Sequence, residues 1–221
     1  MRGEAIVDFF FPPRCGGCRA AGGWFCAACR ASLRPARLTA CLRCGRRTSI
    51  TPCPLCDEAP PALDELFAPL RLEGPLREAV HRLKYGDRPR LAVALATLWR
   101  DWTPPDPAAA LVPVPLGRRR RRQRGYNQAE ELARHLAVDS GLGCMPGAMV
   151  REVETGSQVG RGGDDRRQAM QGAFAWRGGD VPPVVVVVDD VVTTGATLME
   201  CGRACREAGA ERVYGLALAI G

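Results

Sequence analysis

Two adjacent carboxylates, Asp189 and Asp190, directly follow an uninterrupted run of five valines at residues 184–188. Such a run predicts a strand that is buried on both faces. Carboxylates at the end of a buried strand are costly unless they meet hydroxyl groups, a cation or water. The pair is therefore predicted to belong to a binding site and not to the hydrophobic core.

The segment after the carboxylates has a composition suited to holding a phosphate. Its residues are small and mostly hydroxylated, and they open a predicted helix: Thr193, Thr194, Gly195, Ala196 and Thr197. At the start of a helix, unpaired backbone N–H groups and the helix dipole favour a bound anion. Carboxylates for a diol, beside a loop for a phosphate, predict a site for a phosphorylated ribose.

At these residues the chain resembles the phosphoribosyltransferases that use 5-phosphoribosyl-1-pyrophosphate (PRPP). Their signature is an apolar strand, two acidic residues, two variable positions and then T-T-G-x-T. The resemblance implies that Asp189 and Asp190 hold the ribose diol in catalysis and that residues 193–197 hold the 5-phosphate. It also implies magnesium on the PRPP oxygens. The protein would position the reactants and stabilise departing pyrophosphate during displacement at the anomeric carbon.

The resemblance predicts a pentosyltransferase without naming its acceptor. Purine-salvage relatives often carry an acidic residue where this chain has Thr193, which argues against a 6-oxopurine acceptor. The same residues also fit a protein that binds PRPP without turnover, because a fold can persist where its chemistry has been lost.

A second strand, loop and helix pattern, at residues 111–133, is rich in cations. The five consecutive arginines at residues 118–122 predict a mobile solvated loop or a nucleic-acid patch. If this loop neighbours the valine strand, its charges can close over pyrophosphate. Gly125 permits close approach of the backbone, and Asn127 is predicted to cap the helix that follows.

Eight of the eleven cysteines form four C-x-x-C pairs, a pattern typical of zinc sites: Cys15/Cys18, Cys26/Cys29, Cys41/Cys44 and Cys53/Cys56. Zinc takes four thiolates tetrahedrally, and each pair supplies two of them from one turn. Sequential pairing predicts two structural zinc ions, although spacing alone leaves an interleaved arrangement open. Disulfides are disfavoured in a reducing cytoplasm.

The cysteine-rich region contains few large apolar residues, so metal binding is expected to supply its folding free energy. It is also rich in arginine, and the 221-residue chain carries a net charge of +7. Basic charge suits nucleic acid and other anionic partners, and a solvated basic surface explains it equally well. The sequence predicts no membrane span, and Glu4 and Asp8 do not fit a secretion signal. A cytoplasmic protein is expected.

Pro60 and Pro61 mark a predicted boundary between a metal module at residues 1–58 and a second domain at residues 59–221. Predicted strands and helices alternate along the second domain, which predicts a mostly parallel sheet with ligands at the carboxyl ends of its strands. Helices are predicted at residues 4–11, 76–85, 91–102, 127–136 and 197–208. Strands are predicted at 109–115, 184–188 and 212–220, with an outlying strand pair at 148–153 and 173–176, and residues 67–72 form a short apolar segment.

Three further motifs extend the resemblance to the competence protein F (ComF) family, which is implicated in natural transformation. They are L-K-Y-G at residues 83–86, V-P-V-P-L at 112–116 and R-G-Y-N-Q at 124–128. The resemblance implies a type I phosphoribosyltransferase fold with a small hood, preceded by a double zinc-ribbon module. It implies a link to DNA uptake, with single-stranded DNA and the uptake machinery as partners. Further PRPP contacts are implied for Lys84, Arg124, Gly125 and Asn127.

One more family segment, Arg-x-x-x-Thr-x-x-Gln, is matched by Arg151, Thr155 and Gln158, and Arg166 also agrees with the family pattern. Ala169 departs from it, because the family usually has Asn at that position.

Overall fold

The computed structural model describes residues 12–36, 53, 62–152 and 172–221. The predicted helix at residues 4–11 lies outside these ranges. Three of the predicted metal ligands also lie outside them, namely Cys41, Cys44 and Cys56. The same holds for the family positions between the two outlying strands, namely Thr155, Gln158, Arg166 and Ala169.

Four of the six described helices lie where the sequence predicts helices, whereas those at Ala27–Ala31 and Arg118–Arg124 are not predicted. The helices are α1 (Ala27–Ala31), α2 (Gly74–Tyr85), α3 (Leu91–Ala96), α4 (Arg118–Arg124), α5 (Gln128–Ser140) and α6 (Ala196–Glu207), and a short 3₁₀ turn at Thr97–Trp99 continues α3. The strands are β1 (Glu65–Phe67), β2 (Leu70–Arg71), β3 (Ala110–Pro113), β4 (Gly143–Cys144), β5 (Met149–Arg151), β6 (Phe174–Trp176), β7 (Val184–Val188), β8 (Val191–Val192), β9 (Arg212–Leu216) and β10 (Ala219–Ile220).

The main sheet has the strand order β1-β9-β7-β3-β4, and all of its pairings are parallel. All five valines of β7 are buried, as their uninterrupted run predicts. Val186 packs on the side that contains α2, α3 and α5, whereas Val185 and Val187 pack on the side that contains α6. A mostly parallel sheet flanked by helices on both faces confirms the predicted α/β phosphoribosyltransferase-like fold.

Three neighbouring strands of this sheet break at the same level and then resume. After β1, β9 and β7 the chain continues as β2, β10 and β8, which pair in the same order and again in parallel. Asp189 and Asp190 lie in the break that follows β7. The Asp189 N–H donates to the Leu216 carbonyl at 2.9 Å, and the Leu218 N–H donates to the Asp190 carbonyl at 3.1 Å. Backbone bonds on both sides therefore hold the carboxylate pair at the carboxyl edge of the sheet.

This break also corrects one strand prediction. The single strand predicted at residues 212–220 is two strands separated by Ala217 and Leu218, and the apolar segment at residues 67–72 is likewise divided between β1 and β2. An apolar run carries no signal for such an interruption, because Ala217 and Leu218 are as buried as their neighbours Leu216 and Ala219. The predicted outlying pair is confirmed, since β5 and β6 pair in the antiparallel direction.

The arginine run is a helix, so the prediction of a loop at residues 118–122 is wrong. Arginine ranks among the better helix formers, and a run of it favours helix wherever its charges reach water. None of the residues of α4 is buried. Gly125 ends the helix with a φ of 76°, and its N–H donates to the Arg121 carbonyl at 2.9 Å. The Arg121 guanidinium also lies 2.9 Å from the Glu130 carboxylate at the start of α5.

The cysteine-rich segment at residues 12–36 packs directly on the second domain. Cys15, Phe25 and Cys29 belong to the same apolar cluster as residues of α2 and α3. Backbone bonds join the end of the segment to β2, since the Arg71 N–H donates to the Arg34 carbonyl at 2.9 Å. Among the described residues, no helix is long and apolar enough to cross a membrane.

Candidate functional site

The carboxylate pair after β7 is paired with a lysine that comes from another part of the chain. Lys84, in the last turn of α2, places its Nζ atom 2.6 Å from Oδ2 of Asp190. The Asp190 side chain is 3% exposed, whereas Asp189 is only partly buried. The Asp190 N–H donates to Oδ1 of Asp189 at 2.8 Å, which orients the Asp189 carboxyl group.

The charges of this trio shift one another's pKa. Burial and the neighbouring charge of Asp190 raise the pKa of Asp189 to about 8, although Lys84 acts in the opposite direction. Burial acts to lower the pKa of Lys84, but the charge of Asp190 outweighs it and the pKa is raised. Lys84 therefore holds its proton more firmly than an ordinary lysine, and Asp189 is protonated more readily than an ordinary aspartate. Such perturbed groups cluster at functional sites.

The predicted phosphate loop lies between β8 and α6. Gly195 immediately precedes α6 with a φ of 73°, a conformation that glycine adopts without strain. No side chain caps α6, and Oγ1 of Thr194 is 3.5 Å from the Ala196 nitrogen, the outer limit of a hydrogen bond. Thr193 is exposed, and Thr194 and Thr197 are partly exposed. The first N–H groups of a 12-residue helix thus meet an accessible, hydroxyl-lined loop next to the carboxylates.

The segment after β3 reaches the same edge of the sheet, as the sequence predicts. Pro113 is in register with Val188, and the Val114 N–H donates to the Val188 carbonyl at 2.9 Å. Asn127 caps α5 by accepting from the Ala129 N–H at 3.1 Å, which confirms the predicted cap. Its Nδ2 group donates to the Val114 carbonyl at 2.9 Å. Asn127 therefore ties the start of α5 to the end of β3, and its side chain positions the intervening segment.

Arg124 lies near Lys84, against the end of α2. Its guanidinium is 4.8 Å from the centre of the Tyr85 ring and donates to Oε1 of Gln128 at 2.7 Å. Its charge acts on the pKa of Lys84. The Tyr126 hydroxyl donates to the carbonyl of Leu83, so the R-G-Y-N-Q segment is attached to the helix turn that carries the lysine.

The structure thus brings together most of the residues that the sequence singles out. Lys84 contacts Asp190, and the charge of Arg124 acts on Lys84. The segment that contains Gly125 follows β3, and the loop that contains Thr194 follows β7 and β8; β3 and β7 are neighbours in the main sheet. The contact between Lys84 and Asp190 is not evident from the sequence, and neither is the contact between Tyr126 and Leu83. The family motif at residues 83–86 implies that Lys84 belongs to the site, but it does not give its pairing with Asp190, and no sequence pattern gives the hydrogen bond between Tyr126 and Leu83.

The first four cysteines form a metal centre of the predicted sequential kind. The Sγ atoms of Cys15, Cys18, Cys26 and Cys29 all lie within 4.8 Å of one another. The distance is 3.6 Å between Cys15 and Cys29 and 3.7 Å between Cys18 and Cys26. Zinc bound tetrahedrally at about 2.3 Å separates its sulfur ligands by about 3.8 Å, so the four thiolates fit this ion.

The surroundings of the thiols shift their pKa values in opposite directions. Burial acts to raise the pKa of Cys15, but the N–H groups of Cys26, Cys18 and Gly17 outweigh it and lower the pKa to about 6. Burial and the neighbouring thiols raise the pKa of Cys29. A bound zinc ion would favour the thiolate form of all four. Of the second predicted set, Cys53 is buried and the other three ligands lie outside the described residues.

Together, the four-cysteine centre, the mostly parallel sheet and the acidic pair at its carboxyl edge define a zinc-ribbon protein with a phosphoribosyltransferase-like domain. The double zinc ribbon domain family matches residues 6–59. The chain is 31% identical over 217 residues to the DNA utilization protein YhgH of Escherichia coli K12, which covers 91% of this chain and 94% of that protein.

Two further relatives agree with this assignment. The YhgH protein of Salmonella typhimurium LT2 is 31% identical over 197 residues, or 85% of this chain and 86% of that protein. Competence protein F of Haemophilus influenzae Rd is 39% identical over 115 residues, which is 50% of each chain. The chain therefore belongs to the ComF/YhgH family.

Proposed function

We propose that this protein binds PRPP with magnesium at the carboxyl edge of its main sheet and transfers the phosphoribosyl group to an acceptor in a process of DNA uptake or utilization. The observation that carries the proposal is the acidic pair at residues 189–190, which meets Lys84 on one side and precedes the loop at residues 193–197. The link to DNA is supported by the names of the relatives, DNA utilization protein YhgH and competence protein F.

Each part of PRPP has a chemically matching group at this edge. Asp189 and Asp190 would accept hydrogen bonds from the ribose diol, and the N–H groups at the start of α6 would hold the 5-phosphate. Lys84, Arg124 and the backbone at Gly125 would meet the pyrophosphate. Magnesium, when bound, would neutralise charge on the PRPP oxygens and needs few protein ligands.

The proposed reaction breaks the bond between the anomeric carbon and the pyrophosphate oxygen, and the acceptor forms a new bond to that carbon. Pyrophosphate leaves with the bonding electrons, and positive charge develops on the ribose ring. The carboxylates at residues 189–190 would stabilise that charge, while the cations would stabilise the leaving group. No nucleophilic side chain is required, so the protein acts by positioning and by electrostatics.

Calorimetric titration with magnesium and PRPP tests the proposal. Thr194→Leu should abolish binding, because its bulk fills the loop that would hold the 5-phosphate. Thr194→Ser is the matched control and should bind like the parent, because backbone N–H groups do most of the holding. Equal affinity of the parent and Thr194→Leu would show that PRPP does not use this loop, and a parent that does not bind PRPP would refute the function.

A second candidate function, binding of single-stranded nucleic acid, is favoured by a basic groove where the metal module meets the end of α2. The groove consists of two clefts of about 550 and 500 Å³ that share Arg14 and Arg88. The first is lined by Pro12, Pro13, Arg14, Trp24, Asp87, Arg88, Pro89 and Arg90, and the second by Arg14, Arg19, Arg82, Gly86 and Arg88. A partly exposed indole beside arginines suits a base stacked between phosphate contacts.

Fluorescence anisotropy with a labelled oligonucleotide at several salt concentrations tests this second function. Replacing Arg14 and Arg88 by Gln should weaken binding and reduce the salt slope by about 0.7 per lost phosphate contact. The same loss of charge in α4, by Arg119→Gln with Arg120→Gln, is the matched control. If only the α4 variant loses affinity, the groove is not the binding surface, and a parent that does not bind at low salt has no such function.

A further inference from the structure

The last turn of α2 contacts both the metal module and the carboxylate site through neighbouring residues. The Arg82 guanidinium donates to the carbonyl of Gly16 and, at 2.8 Å, to that of Gly17. Two residues later, Lys84 makes its 2.6 Å contact with Asp190. Successive side chains of a helix point about 100° apart, so a single turn can reach partners on different sides.

The residue between them makes a third attachment. The carbonyl of Leu83 accepts a hydrogen bond from the Tyr126 hydroxyl, which belongs to the segment that carries Arg124. Three consecutive residues of α2 therefore meet the metal module, the segment after β3 and the acidic pair. A displacement of this turn would disturb all three contacts together.

The metal module is fitted closely to the two helices that it covers. Gly16 and Gly17 lie between the ligands Cys15 and Cys18. A Cβ atom at Gly16 would lie 2.7 Å from both terminal methyl groups of Leu91, and one at Gly17 would lie 2.8 Å from Pro75. The chain between the first two ligands thus approaches the helices as closely as glycine allows. The position of the segment at Gly16 and Gly17 and the position of α2 therefore depend on each other.

The ion pair at the other end of this connection is sensitive to displacement. The Lys84 side chain is 24% exposed and that of Asp190 is 3% exposed. Charges with so little water depend on good geometry, because a displaced partner leaves a desolvated charge uncompensated. Small changes in the position of α2 are therefore expected to alter the site.

We propose that Arg82 is a positioning residue that couples the metal centre to the ligand site, so that zinc and PRPP bind cooperatively. With zinc bound, the carbonyls of Gly16 and Gly17 hold Arg82, and α2 presents Lys84 to Asp190. Without zinc this restraint is lost, and the lysine is no longer held in place. The inference rests on the proposed binding of PRPP at this site.

Reciprocal binding measurements on the full chain test the coupling. The zinc affinity is determined at equilibrium by competition with a chelator that does not bind magnesium, with and without magnesium and PRPP. The transition that belongs to the first metal centre is identified as the one lost in Cys18→Ser. In the parent, saturating PRPP should raise that zinc affinity roughly tenfold, and zinc should raise PRPP affinity by the same factor.

Arg82→Met should remove this dependence and lower PRPP affinity by about the same factor with the zinc content unchanged. Arg82→Lys retains the positive charge and a single donor group, so it should show part of the parent's coupling. If Arg82→Met fails to fold, the test is whether the coupling of Arg82→Lys is weaker than that of the parent. Arg77→Met, an exposed position on the same helix, is the control and should keep the full coupling.

Two results separate this inference from the proposed function. A parent that binds PRPP with a zinc affinity unchanged by it would overturn the coupling alone, and so would an Arg82→Met protein with the parent's coupling. A parent that does not bind PRPP at all would overturn both.

Discussion

The metal module and the edge of the main sheet obtain their geometry in different ways. At residues 12–36 the large apolar residues are few, and the shape comes from four cysteine sulfur atoms that lie within 4.8 Å of one another. At residues 184–197 the shape comes from β7, whose five buried valines hold the acidic pair between neighbouring strands. We therefore expect a chelator to unfold the first region, whereas the backbone of the second should persist as long as the sheet is folded.

The largest effect is expected from the removal of one ligand of the metal centre. Cys29→Ser removes a buried ligand, so the zinc content should fall from two ions per chain to one. The free energy of unfolding should fall by roughly 3 kcal/mol or more, because structural zinc binds with about 10–16 kcal/mol in small zinc domains. Elemental analysis and thermal denaturation measure the two effects.

Cys144→Ser is the matched control, since Cys144 lies in β4, outside both predicted metal sites. It should keep both ions. A Cys29→Ser protein with two ions and the parent's melting temperature would contradict the four-thiolate assignment.

A smaller effect is expected at the start of α5, where Asn127 is bonded to the chain that follows β3. Asn127→Ala removes the cap of α5 and leaves the Val114 carbonyl without its donor. The free energy of unfolding should fall by about 1–2 kcal/mol. Ser140→Ala, at the opposite end of α5, is the control and should cost less, because it removes one good hydroxyl hydrogen bond, to the Leu136 carbonyl at 2.7 Å, and one long contact from the Leu142 N–H at 3.4 Å. Chemical denaturation of both variants makes the comparison, and an equal loss would show that the Asn127 contacts contribute nothing beyond the helix end.

The smallest effect has the opposite sign and tests the electrostatic strain at the acidic pair. The pKa of Asp189 is about 8 in the folded protein and 3.8 for an ordinary aspartate. The folded state thus binds more protons between these values, and the resulting contribution to stability is complete below about pH 3.8 and is lost as the pH rises to about 8.

Asp189→Asn should therefore be more stable than the parent at pH 8, with a melting temperature higher by at least about 2 °C, and the difference should shrink toward pH 4. Thermal denaturation across this pH range measures it. A difference that is independent of pH would show that the carboxyl group is not strained in the fold.

Local patterns in the sequence predict much of this structure. The run of valines predicts β7 residue for residue, the position of Asn127 predicts the cap of α5, and the spacing of the first four cysteines predicts their metal centre. Each of these features depends on residues that are close together in the chain or on one repeating property.

Features that join distant parts of the chain are not predicted in the same way. The contact between Lys84 and Asp190 depends on how α2 lies across the sheet, and the contact between Arg82 and Gly16 depends on how the metal module packs on α2. The helical state of the arginine run was also missed, because a charge pattern alone does not distinguish a solvated helix from a solvated loop.

The central claim is that the acidic pair at the sheet edge holds PRPP. Calorimetric titration of magnesium and PRPP at pH 8 into the parent, and into a variant carrying both Asp189→Asn and Asp190→Asn, tests it most directly. The account predicts one PRPP per chain for the parent and a loss of at least about tenfold in affinity for the variant, because each lost charged hydrogen bond costs about 1.5–3 kcal/mol. A folded variant with the parent's affinity would contradict the account.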